Sequence, residues 1–162
     1  MKRYLFDSIE KDLKRKMVFV TGPRQVGKTY LSKQILNEYP NGQYLNFDNI
    51  EDRALILNYQ WKQNSDLLVF DEIHKMKDWK NFLKGVFDSK NEWQSILVTG
   101  SARLDTFRQT GDSLAGRYFH YRLNPVTVKE VENKLDPFTA LERINKFGGF
   151  PERLRWRYRK AT

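Results

Sequence analysis

Apolar residues fall in five short runs separated by stretches of helical spacing. Met17-Val18-Phe19-Val20 is a continuous apolar run ending near Gly22-Pro23, the pattern of a buried strand. Leu31, Ile35 and Tyr39 recur every four residues and predict a helix over 28–39, stopped by Pro40-Asn41-Gly42. Residues 43–48 read as a second strand and 51–61 as a helix with Leu55 and Leu57 among its apolar positions. The third strand, 66–71, has the clearest pattern. Trp79, Phe82, Leu83, Val86 and Phe87 mark one face of an amphipathic helix. Residues 95–99 and 118–123 are the fourth and fifth strands. Between them, 104–117 reads as a helix-and-loop segment broken by Gly111. Two short helices near 128–133 and 137–147 come after Pro125.

Strands alternating with helices imply crossover units and a mostly parallel sheet. Strands apolar on both faces imply helices on both sides of it. The predicted fold is a three-layer α/β sandwich of the P-loop NTPase type, with about five mostly parallel strands. Residues 1–124 are expected to form the core. Residues 125–162 are expected to form a partial helical accessory region with a basic tail.

Composition narrows the chemistry. The chain has 162 residues, 40% apolar and 14% aromatic, enough for a packed core and too many for a disordered segment. It has no cysteine, which excludes disulfides, thiolate metal sites and a cysteine nucleophile. Its only histidines, His74 and His120, exclude a histidine-rich metal centre. No stretch approaches the ~18 uninterrupted apolar residues of a membrane span. Residues 1–7 lack an apolar signal core, so a cytoplasmic protein is expected.

The net charge of +9 invites a nucleic-acid reading, but the charge is concentrated at the ends. Residues 1–16 carry +3 and 151–162 carry +4, which leaves only +2 for the rest. In the tail, Arg153, Arg155, Arg157, Arg159 and Lys160 interleave with Trp156 and Tyr158, a pattern that could track a phosphate backbone and stack on bases. It equally describes a solvated terminal segment.

Gly22-Pro23-Arg24-Gln25-Val26-Gly27-Lys28-Thr29 matches G-x-x-x-x-G-K-[ST], with a strand before it and a helix after it. The glycines permit backbone angles that turn successive amides toward phosphate oxygens, and the helix adds its positive N-terminal end. Lys28 is expected to reach the β and γ phosphates, Thr29 to ligate Mg²⁺, and Tyr30 to extend the nucleotide-binding segment. The third strand ends in Asp71-Glu72, 42 and 43 residues after Thr29. Beside a phosphate loop, Asp71 is the expected Mg²⁺ carboxylate and Glu72 the expected base for the attacking water. Ser101, with Thr99 as the alternative, is expected to contact the γ-phosphate or that water. A helix cap is the competing role for Ser101.

With these residues assembled, the sequence resembles the prokaryotic AAA+-like P-loop ATPases whose core is commonly followed by a C-terminal domain of uncertain function. The resembling stretches are 21–29, 44–48, 71–75, 97–101, Ser113-Leu114-Ala115-Gly116-Arg117 and Gly148-Gly149-Phe150-Pro151-Glu152. The resemblance implies ATP and Mg²⁺ as ligands, and an Arg117 that senses or stabilises the γ-phosphate, in its own chain or in a neighbour within a homo-oligomer. The competing role for Arg117 is a structural ion pair. The resemblance also implies a longer chain, so a fragment or truncated homologue is expected. His74 stands where such sequences more often have Gln.

Four other readings compete. Asp71-Glu72-Ile73-His74 spells a DExH box with Ser101-Ala102 after it, but position 103 is Arg and no room remains for a second lobe. Asn133-Lys134-Leu135-Asp136 spells a guanine-reading motif, though it comes after a polar helical stretch rather than a buried strand. A small-molecule kinase would use Asp48 and Arg53 as acceptor contacts. A nucleotide-gated module would bind DNA or a protein partner through the basic ends with little turnover.

Overall fold

A computed structural model of the chain describes residues 1–101, 114–131 and 135–152. Five strands form one sheet: β1 (Met17–Thr21), β2 (Gln43–Asn46), β3 (Leu67–Asp71), β4 (Ser95–Thr99) and β5 (Tyr118–Arg122). Their order is β2-β3-β4-β1-β5, and every pairing is parallel. Among the described residues, the helices that accompany them include α1 (Phe6–Leu13), α2 (Lys28–Leu36), α3 (Ile50–Leu57), α4 (Trp79–Ser89), α5 (Val128–Val131) and α6 (Pro137–Phe147).

Side-chain alternation along the strands divides the core in two. Met17, Phe19, Leu68, Phe70, Ile96 and Val98 face one side and pack with Ile56 of α3 and with Trp79, Phe82, Leu83 and Val86 of α4. Val18, Val20, Leu67, Val69 and Leu97 face the other side and pack with Phe6, Ile9 and Leu13 of α1 and Leu31 and Ile35 of α2. The central strands β1, β3 and β4 are buried along their whole length, which explains their continuous apolar sequence. This is the expected three-layer sandwich.

Helix α1 was not anticipated. Phe6, Ile9 and Leu13 do carry a helical period, but residues 1–16 read first as a charged end. The structure gives that end a fully buried Ile9 and a place against the sheet. Helix α3 ends at Leu57 because Tyr59 turns into the left-handed region (φ 55°). That turn drops Trp61 into the core edge-on to Phe70 (5.7 Å) and Phe82 (6.0 Å). Helix α2 stops at Leu36, and the tighter bonds Glu38 N–H to Ile35 O and Tyr39 N–H to Leu36 O close it.

The predicted break at Gly111, residues 132–134 and the tail 153–162 lie outside the described residues. Among the described residues, no helix is long and apolar enough to cross a membrane.

Candidate nucleotide-binding site

The strand order brings the C-terminal ends of β1, β3 and β4 together. A cleft of about 1020 Å³ opens there. Arg24, Gln25, Gly27, Lys28 and Thr29 of the loop line one side, and Asp71, Glu72, His74 and Lys75, from the end of β3 and the turn after it, line the other. Asn46, Asp48, Ser101 and Glu152 complete it. Neither Gly22, Pro23, Val26 nor Tyr30 lines it. Val26 is instead fully buried and fastens the loop to the core, while Tyr30 accepts a bond from the N-terminal amine.

The loop between β1 and α2 takes backbone angles that only part of its sequence tolerates easily. Gly22 has φ 148° and Gly27 φ 99°, while Gln25 takes φ 63° without being glycine. Lys28 is buried and donates to the carbonyls of Gly22 (3.0 Å) and Pro23 (2.8 Å). Burial pushes its ammonium pKa down, and the carboxylates of Glu72 and Asp71 offset this only in part.

Asp71 is the hub of the acidic side. It is nearly buried and accepts from the hydroxyls of Thr29 (2.9 Å), Tyr44 and Thr99. Burial and the bond to this carboxylate push the Tyr44 phenol pKa up. Thr99 thus holds Asp71 from the neighbouring strand, opposite it in register, and does not itself line the cleft. Tyr44 had no assigned role in the sequence. Only the pairing of β2 with β3 places it on Asp71.

Glu72 comes next in a left-handed conformation, φ 58°, with its N–H bonded to Thr99 O at 3.0 Å. A non-glycine residue held there stores local strain, which occurs most often at functional positions. Its Oε2 lies 3.5 Å from Lys75 Nζ and 3.7 Å from His74 Nε2. Lys75 also pairs with Asp48, and that bond raises its pKa. Ser101 reaches the cleft and meets His74 Nε2 at 3.1 Å.

Arg117 is not brought to the loop of its own chain. Its carbonyl accepts from Met17 N–H at the start of β1, while the phosphate loop leaves the other end of that strand. Five residues at about 3.3 Å each separate the two ends. The guanidinium instead pairs with Asp88 at 2.8 and 3.3 Å. In its own chain the guanidinium is thus held on Asp88 and does not line the cleft.

Residues of two competing motifs have structural partners as well. Asp136 accepts from Thr139 N–H at 3.0 Å and caps α6, so this carboxylate serves a helix end; Asn133 and Lys134 lie outside the described residues. Arg53 donates to Phe47 O at 2.8 Å and holds its own loop.

Fold and site together define a P-loop nucleotide-binding domain of the AAA type. A family model described as an AAA domain matches residues 14–132, and the chain belongs to that family. An uncharacterized protein of Methanocaldococcus jannaschii is 29% identical over 89% of this chain, which spans only 38% of that relative. AMPPCP-bound DnaA from Aquifex aeolicus superposes with a TM-score of 0.66 at 12% identity, over 97% of this chain and 59% of that one. A Walker-type ATPase of Pyrococcus abyssi gives 0.61 at 16% identity, over 92% and 63%. At those identities the structural likeness speaks for the fold.

Proposed function

We propose that the chain is a Mg²⁺-dependent ATPase working as a nucleotide-state switch in the cytoplasm. The observation that carries this reading is the Thr29–Asp71 bond of 2.9 Å, which joins the phosphate loop to the acidic end of β3 beside Glu72. A hydroxyl and a carboxylate oxygen suit a small hard cation, which takes its other ligands from phosphates and water. Thr29 and Asp71 would hold Mg²⁺, whose charge, when bound, neutralises β and γ oxygens.

Lys28 exchanges the Gly22 and Pro23 carbonyls for phosphate oxygens. The loop amides and the α2 N-terminus receive the remaining phosphate charge. Glu72 accepts the proton of the attacking water, and Ser101, held by His74, orients that water. Arg117, parked on Asp88 in its own chain, serves the nucleotide of a neighbouring copy, which makes a homo-oligomer part of this proposal. Residues 125–162 act as an accessory unit that reads the nucleotide state. A nucleic-acid or protein partner would meet the basic ends.

A second reading, a nucleotide-gated module with little turnover, draws on Lys75 and His74, which lie 3.5 and 3.7 Å from the Glu72 carboxylate. Phosphate release from MgATP and MgGTP separates the two. ATP turnover that falls at least a hundredfold in Glu72→Gln, with binding of a fluorescent nucleotide retained, supports the ATPase. Tight Lys28-dependent binding with no wild-type turnover supports the module. Preference for GTP would refute the choice of base.

A further inference from the structure

Arg3 is only 2% exposed, although it lies three residues from the N-terminus and outside the cleft. Its guanidinium donates three bonds of 2.7 Å, each to a different segment. Nη1 reaches Val26 O in the phosphate loop, Nη2 reaches Asn124 O just beyond β5, and Nε reaches the Glu130 carboxylate on α5. The Glu130 side chain is 3% exposed and also accepts from Tyr4 N–H and from the amide and hydroxyl of Thr127. Buried charges persist where every polar atom is matched, and this pair is matched across three parts of the chain.

The contact with Val26 matters for Gly27. The peptide joining them is planar and trans, so holding its carbonyl from one side aims the Gly27 N–H to the other. Gly27 lines the cleft. A Cβ on Gly27 would lie 3.3 Å from Arg3 Nη1 and 3.5 Å from Pro151 Cγ. Arg3 and the segment after α6 therefore both back the loop at this residue. The same segment is tied to the start of the accessory region, where Val126 N–H donates to Gly149 O at 2.7 Å.

We propose that Arg3 is a positioning residue that presets the Gly27 amide for a nucleotide phosphate and carries loop occupancy to residues 124–131. The planar fork of arginine supplies the coupling: its donors keep fixed mutual angles, so a shift of the Val26 carbonyl is passed to Asn124 and Glu130. Lysine would give a charge without the fork. The inference rests on nucleotide binding at the loop, as proposed above.

The test is hydrogen–deuterium exchange of residues 22–29 and 124–131, with and without MgADP. It compares wild type with Arg3→Met/Glu130→Met, which removes both buried charges together and leaves neither unpaired. In wild type, MgADP should slow exchange in both segments. The double variant should bind MgADP about tenfold more weakly, the order of an ordinary coupling, and at saturation protect 22–29 but not 124–131. If it fails to fold, Arg3→Lys takes its place and should show the same split. Undiminished protection of 124–131 in whichever variant folds overturns the inference. So does wild-type binding that protects only 22–29. Absence of MgADP binding in wild type overturns the nucleotide reading itself.

Discussion

Replacing Gly22 by alanine tests the architecture of the phosphate loop at its tightest point. A Cβ there would sit 2.3 Å from the Leu123 carbonyl oxygen and 3.4 Å from Val26 Cγ1. The first neighbour is backbone and cannot rotate away. Leu123 N–H is itself bonded to Thr21 O at 2.7 Å, so the junction of β1 and β5 must open for the methyl to fit. The backbone angle, φ 148°, adds strain of about 1–3 kcal/mol for any residue with a side chain. Opening the junction adds on the order of 1–2 kcal/mol for a weakened buried hydrogen bond. The sum, about 2–5 kcal/mol, is a large part of the roughly 5–15 kcal/mol that holds such a domain folded. At about 2–4 °C per kcal/mol, the melting temperature should fall by about 4–20 °C. Thermal melts monitored by circular dichroism measure this. Gly85→Ala is the control, because its Cβ meets nothing within 4 Å inside α4. It should stabilise the protein by about 0.5–1 kcal/mol. A Gly22→Ala protein that melts within about 2 °C of wild type, less than one kcal/mol would produce, would refute the packing argument.

Two further outcomes are expected. Thr99→Val keeps the shape but removes a hydroxyl donor from Asp71; it should cost about 1–3 kcal/mol of stability and raise the Mg²⁺ concentration needed for half-maximal turnover, read from melts and a metal titration. For Glu130, burial alone would raise the carboxyl pKa, but bonds from Arg3, Thr127 and Tyr4 outweigh it and hold the pKa below the ordinary glutamate value. Its contribution to stability is therefore present above about pH 4.3 and lost as pH falls through the lower folded value. Melting temperature against pH should drop more steeply below that point in wild type than in Arg3→Met/Glu130→Met, and equal slopes would show that the pair carries no linkage.

Much of the fold was legible because the strands announce themselves. Runs such as Leu67-Leu68-Val69-Phe70 are apolar at every position because both faces of β3 are covered. Helix α1 was less legible, since Lys11, Lys14, Arg15 and Lys16 overlay its apolar stripe with charge. Helix ends were misplaced where a single left-handed residue, Tyr59, redirects the chain. Arg117 sat in the right motif, yet a motif does not say which end of a strand it adjoins.

The phosphate loop, the Asp71-Glu72 pair and the alternation of strand and helix belong to the sequence itself. They arise from local requirements: glycine where the backbone must turn, an apolar run where both faces are covered, and a hydroxyl at a helix start. Strand order was decided only in three dimensions, because nothing local to β2 or β4 tells which strand will lie beside it. That order put Thr99 and Tyr44 on Asp71, joined Ser101 to His74, and left Arg117 far from its own loop. It also buried Arg3 against Val26, Asn124 and Glu130, partners 23, 121 and 127 residues away, where sequence proximity carries no information.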